Sequence, residues 1–272
     1  MDIHRDAVAV YQHNFDHVTH VRTIETLKTS VYQSWNADLW WLSPPCQPFT
    51  ERGLGRDADD PRARPFLAVI EKIATLRPRH LALENVPGFV GSQVHGQLRE
   101  TLDKAGYDMA EHLLCPSELG LPNRRRRFYL AASQDRLLPT VPASAERRPL
   151  RDFLDPEADG AAALRVDPEI LRRYTGALHV IDRNTINPAD IDNAVTNCFT
   201  SAYGRSHVRS GSYLQTGNGA RRFSPAEILR LLGFEDSFQL PPGTSLRLGW
   251  RLVGNSLAQP AVRTVFGTIP YR

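Results

Sequence analysis

The chain has 272 residues, 41% of them apolar, and a formal net charge of +3. That is enough for one large α/β domain with a smaller satellite, and no run approaches the roughly 18 apolar residues of a membrane span. The amino terminus carries no signal-peptide pattern, and Cys46, Cys115 and Cys198 are too few and too scattered for a disulfide frame or a zinc site, so we expect a reducing cytoplasm and no metal. Of 33 basic residues only Lys28, Lys72 and Lys104 are lysines. Arginine's planar fork suits phosphates and base edges, which permits a nucleic-acid partner without proving one.

The amphipathic stretch Ala7 to Phe15 predicts a helix. The brief run Asp38 to Leu42 reads as a buried strand and ends at Ser43-Pro44-Pro45-Cys46-Gln47-Pro48-Phe49-Thr50. A cysteine just past a strand's carboxyl end sits where open α/β sheets bind ligands, and the two prolines stiffen its turn. Residues Glu51 to Pro61 are rich in Gly, Asp and Arg and read as a mobile loop. A helix is expected over Arg64 to Leu76 and a strand over Leu81 to Val86, with Glu84 near its end. A helix over Ser92 to Ala105, stopped by Gly106, follows. Asn123-Arg124-Arg125-Arg126-Arg127 then leads into a third strand, Phe128 to Ala132. These strands deliver a thiol, a carboxylic acid and arginines to one sheet, the groups needed to attack an electron-poor ring, share a proton with it and hold a phosphate.

From Ser133 to about Ile191 the strand–helix rhythm breaks, which places a domain boundary near Gln134 and divides the chain into residues 1–133, 134–245 and 246–272. Arg205, His207 and Arg209 alternate along a basic edge. Ser224, Pro225 and Glu227 spell a capping box at a helix start, with Gly233 as its stop. Gly254-Asn255-Ser256 is expected to open the last helix.

Five motifs in order carry a resemblance: Pro-Pro-Cys46-Gln, Glu84-Asn-Val, Arg125-x-Arg127, Arg222-x-Ser-x-x-Glu227 and Gly254-Asn255-Ser256. Together they resemble the cytosine carbon-5 methyltransferases. The resemblance implies a doubly wound, Rossmann-like α/β fold with a small target-recognition domain and S-adenosylmethionine as cofactor. It implies Cys46 as nucleophile, Glu84 as the proton-sharing acid, and Arg125 and Arg127 as groups that orient the base and its phosphate. Asp2, Ile3, Ile24, Pro45, Asn255 and Ser256 are the implied cofactor contacts. The family begins with a strand and a Gly-rich turn, and this sequence starts after them, so an upstream start is expected, with Met1 inside the second strand.

Thr196-Asn197-Cys198-Phe199-Thr200-Ser201-Ala202-Tyr203-Gly204, with Pro48-Phe49-Thr50, Asp60-Pro61-Arg62 and Leu119 to Asn123, resembles the subgroup that methylates the anticodon loop of aspartate tRNA. That resemblance implies nucleic-acid contacts at Gln47, Asn123, Arg124, Cys198, Phe199, Thr200, Tyr203 and Arg205, and a monomer acting on tRNA. A DNA cytosine methyltransferase of a restriction system and an inactive nucleic-acid-binding remnant are the alternatives.

Overall fold

The computed structural model describes residues 1–50, 56–140, 145–182, 194–217 and 219–270. Part of the loop expected over Glu51 to Pro61 lies outside the described residues. The main sheet runs in the order β1 (Leu39–Leu42), β2 (His80–Asn85), β4 (Arg127–Ser133) and β3 (Asp108–Leu114). β1 and β2 are parallel, and β4 is antiparallel to both β2 and β3.

Pleating divides the sheet's side chains between two cores. Leu81 and Leu83 of β2 and Phe128, Leu130 and Ala132 of β4 face α3 (Arg64–Leu76) and α4 (Gln93–Lys104). Ala82, Tyr129 and Ala131 face the opposite way, toward α8 (Gln259–Phe266), through Ala261 and Val265. Helices thus cover both faces of a mixed sheet, the expected doubly wound arrangement. Alternation at period two requires this, because consecutive strand residues point to opposite faces.

Several predicted boundaries match closely. α3 spans Arg64–Leu76, Ser92 caps α4 by accepting from the His95 N–H, and Gly106 follows with φ +78°. Ser224 and Glu227 form the expected capping box on α6 (Pro225–Leu231), and Gly233 has φ +83°. α1 (Arg5–Asn14) replaces the helix expected from Ala7.

Three elements differ from expectation. β3 escaped notice because it is an edge strand carrying Asp108, Glu111 and His112, with no apolar alternation to betray it. α2 (Thr29–Trp35) is short and lacks a capping side chain. Gly254-Asn255-Ser256 does not open the last helix: Gly254 ends α7 (Leu246–Gly254), capped at its start by Ser245, and α8 begins beyond Ser256.

A second sheet, β5 (Val180–Ile181), β6 (Tyr213–Thr216) and β7 (Gly219–Arg222), follows the short helix α5 (Pro168–Arg173) and lies within the expected recognition region. It is locked to α6 by Arg221, which is 1% exposed and donates to both carboxylate oxygens of Glu227 at 2.8 and 2.9 Å. Among the described residues no helix is long and apolar enough to cross a membrane, and no cluster of His, Cys, Asp or Glu is built to hold a metal.

Candidate active site

Register explains how three distant motifs meet. Leu42 pairs with Leu83, and Glu84 and Asn85 pair with Tyr129 and Phe128. The carboxyl ends of parallel β1 and β2 and the amino end of antiparallel β4 therefore lie along one edge. Cys46 follows β1, Glu84 is near the end of β2, and Arg127 starts β4. The predicted convergence of thiol, acid and guanidinium follows from strand direction alone.

Cys46 precedes a single 3-10 turn, Gln47–Phe49, and its carbonyl accepts from the Phe49 N–H at 3.0 Å. The buried Phe49 ring packs edge-on against Phe89 at 5.0 Å. A side chain at Gly88 would bring a Cβ within 2.3 Å of the Phe49 carbonyl oxygen. Only glycine lets the turn after β2 approach the cysteine's own turn this closely.

Glu84 is 12% exposed, and its Oε1 lies 3.3 Å from Arg127 Nε. Burial raises its carboxyl above the ordinary range, against the opposing pull of Arg125 and Arg127. Burial likewise pushes the Cys46 thiol up, with Arg127 pulling it down and Glu84 pushing it up. Both groups thus hold their protons more tightly than in water, as suits a neutral acid that donates to a ring nitrogen.

Cys198 sits on the other side of the arginines. Arg125 Nη1 is 3.5 Å and Arg127 Nη2 is 3.7 Å from its sulfur. Burial alone would raise this thiol, but the two guanidiniums outweigh it and the net shift is downward. The shared arginines pull both thiols down, yet burial prevails at Cys46 and the arginines prevail at Cys198, so the two cysteines shift in opposite directions.

The structure corrects the expected part of Arg125. It is 4% exposed, and its guanidinium donates to the carbonyls of Phe199 at 2.9 Å, Gly254 at 3.2 Å and Ser256 at 2.6 Å. A fork bound to three carbonyls has little left for a base or phosphate, so Arg125 joins the loop of Cys198 to the end of α7. Arg127 is the arginine that pairs with Glu84.

Three expected nucleic-acid contacts are also corrected by burial. Asn123 is 0% exposed, accepts from the Thr196 hydroxyl and donates to the Leu231 carbonyl. Tyr203 is 0% exposed, donates to the Ser212 carbonyl and accepts from the Phe223 N–H. Phe199, 2% exposed, packs edge-on against Tyr203 and Phe223. All three side chains are buried supports of the surrounding chain and present no surface to a ligand. Gln47, Arg124 and Arg205 are exposed, whereas Cys198 and Thr200 are partly so.

Among the implied cofactor contacts, Asp2 bridges to Val21 and its carboxylate accepts from the His4 N–H. Ile3 is 62% exposed beside it, Pro45 is exposed and Ile24 is partly buried. Asp6, on the first turn of α1, pairs with Arg251 on the last turn of α7, whose C-cap is Asn255. That ion pair ties α1, which follows Asp2 and Ile3, to α7, which precedes Asn255 and Ser256. An open carboxylate can accept from the two hydroxyls of a ribose diol, and the uncovered aliphatic side chain beside it fits an adenine face.

Sequence reasoning named Arg62 only as part of a motif. Its backbone N–H and guanidinium hold both carboxylate oxygens of Asp60 at 2.6 to 2.9 Å, and this brings the Asp60 carboxyl down to about 2. Asp60 and, more weakly, Cys46 raise the Arg62 guanidinium in turn. An Asp two residues before an Arg, with a proline between, was the available signal.

The profile of the family described as C-5 cytosine-specific DNA methylase matches residues 1–270. A tRNA (cytosine(38)-C(5))-methyltransferase of Spodoptera frugiperda is 31% identical, covering 94% of this chain and 86% of that protein. The Mus musculus protein of the same name is 28% identical over 94% of this chain and 83% of its own length. An Entamoeba histolytica methyltransferase structure superposes with a TM-score of 0.88 at 23% identity, covering 97% of this chain and 87% of that one. Its fold is therefore this fold. The thiol, acid and guanidinium gathered at one sheet edge thus belong to a member of the C-5 cytosine-specific DNA methylase family, a cytosine-5 methyltransferase.

Proposed function

We propose that this chain methylates carbon-5 of a cytosine in a tRNA loop, through a covalent bond between Cys46 and carbon-6 of the base. The relatives that match over nearly its whole length, and are named for cytosine 38 of tRNA, carry the choice of substrate. A base in an unpaired loop also leaves its stack at lower cost than one in a duplex. In this reading residues 134–245 form the recognition region.

Cytosine-5 methyltransferases of this family use S-adenosylmethionine, and Asp2, Ile3, Asn255 and Ser256 would hold it here, with Ile24 and Pro45 beside them. When bound, it supplies an electrophilic methyl group. The work of this chain's residues is to make carbon-5 nucleophilic. The Cys46 thiol gives its proton to solvent and the resulting thiolate adds to carbon-6 while the protonated Glu84 carboxyl donates to N3, so the negative charge pushed into the ring is met by a proton. After methylation, loss of the carbon-5 proton expels the Cys46 sulfur, restores the carbon-5–carbon-6 double bond and returns the N3 proton to Glu84. Arg127 holds Glu84 in place and opposes the burial that keeps Cys46 protonated.

The family description names DNA, which gives duplex DNA as the second reading. Labelled methyl transfer to total tRNA and to genomic DNA, measured side by side, separates the two. Label in tRNA is the expected result, and label in DNA alone would overturn the assignment.

A further inference from the structure

A cavity of about 340 Å³ opens between α1, the turn that follows Cys198 to Thr200, and the first half of α7. Its walls carry three arginines, Arg205, Arg247 and Arg251, and one acid, Asp6. Arg251 and Asp6 neutralise each other as an ion pair. Arg205 and Arg247 are exposed, and neither guanidinium has a carboxylate partner among the described residues. Two uncompensated guanidiniums at one cavity repel each other, and an anion between them removes that repulsion.

Other features of the walls favour the same sign of charge. Ser245 accepts from the Leu248 N–H and keeps its own hydroxyl proton to donate, and Ser201 adds a second hydroxyl. The positive end of α7, a nine-residue helix, opens on the cavity. From Thr196 to Arg222 the chain carries four arginines and no Asp or Glu, so no acid in this stretch competes for the arginines.

We propose that this cavity binds a backbone phosphate of the RNA substrate, at a nucleotide flanking the target cytosine. This rests on the assignment of an RNA substrate made above. Guanidinium forks bind phosphate oxygens bidentately, and the serine hydroxyls complete the shell. Position links the cavity to the catalytic edge. Gly204 packs directly on Trp250 of α7, and a Cβ at Gly254 would lie 2.3 Å from the Thr200 carbonyl carbon, so α7 lies flush against the turn that starts at Cys198. Arg125 fixes the far end of α7 to the Cys198 loop. At 1.5 Å of rise per residue, Arg247 stands about 10 Å along the helix from that end, within the span of a short run of nucleotides.

The test is equilibrium binding of the full 272-residue chain to an unmodified tRNA transcript across a salt series, comparing wild type with Arg205→Ala/Arg247→Ala. Loss of one phosphate contact predicts affinity about tenfold weaker at low salt, and a plot of log K against log salt shallower by about one. Arg205→Lys/Arg247→Lys keeps the charge and restores the slope. A wild-type chain that binds and methylates tRNA, beside a double alanine variant of unchanged slope, refutes the cavity alone. A wild-type chain that neither binds nor methylates tRNA refutes the substrate assignment and the phosphate site with it.

Discussion

Arg127 faces both a carboxylate and a thiol: its Nε lies 3.3 Å from Glu84 Oε1, and its Nη2 lies 3.7 Å from the Cys198 sulfur. One guanidinium thus connects an acid on the main sheet to a cysteine more than seventy residues farther along the chain. Its charge also bears on Cys46. The protonation states of three groups are consequently coupled, and the first predictions follow from their directions.

Glu84→Gln keeps the size of the side chain and removes the transferable proton. Turnover should fall by about 10² to 10⁴, the usual range for a general acid, while tRNA affinity is retained. The sign of the stability effect is also fixed. Because the folded carboxyl titrates above its ordinary 4.5, the native state binds that proton more tightly than the unfolded chain. Wild type therefore loses stability relative to Glu84→Gln as pH rises past the ordinary value and through the raised one. Urea midpoints at pH 5 and pH 8 measure this, and a difference independent of pH would contradict it.

The two cysteines should titrate on opposite sides of the ordinary thiol value of 9.0. Cys198 is drawn below it by the arginines, and Cys46 is pushed above it by burial. Iodoacetamide labelling read by mass spectrometry across pH 6 to 10 should show Cys198 reaching its half-maximal rate at the lower pH. Arg127→Ala should move both midpoints upward. Coincident midpoints, or midpoints indifferent to Arg127, would contradict the shared-charge account.

Much of this arrangement was legible in the sequence. Short apolar runs ending at Cys46 and Glu84, and one starting after Arg127, placed the three groups at strand ends before any geometry was known. What the sequence hid was direction of view. Phe199 and Tyr203 lie in a motif that resembles a substrate contact, yet residues beside a site are as often its internal support, and no period in that irregular stretch separates inward from outward. Arg125 misled in the same way, since two arginines spaced by one residue look equivalent in a sequence. Only the three carbonyls of Phe199, Gly254 and Ser256, contributed from over seventy residues away, distinguish them.

Arg125 and Arg127 should therefore fail differently when truncated. Arg125→Ala leaves buried carbonyls without donors, at about 1 to 3 kcal/mol each, so destabilisation of about 3 kcal/mol or more is expected in urea unfolding. Arg127→Ala should lower turnover more than stability. If Arg125→Ala unfolded at the wild-type midpoint and lost only substrate binding, its role as an internal tie would be wrong.

The central claim is that Cys46 forms the bond to the base. A tRNA transcript carrying 5-fluorocytosine in place of cytosine tests it directly, because a fluorine at carbon-5 cannot leave as a proton does and the adduct is trapped. With S-adenosylmethionine present, wild type and Cys198→Ala should each yield an RNA–protein complex that survives SDS, and Cys46→Ala should yield none. A complex that persists in Cys46→Ala and disappears in Cys198→Ala would contradict the account and move the nucleophile across Arg127.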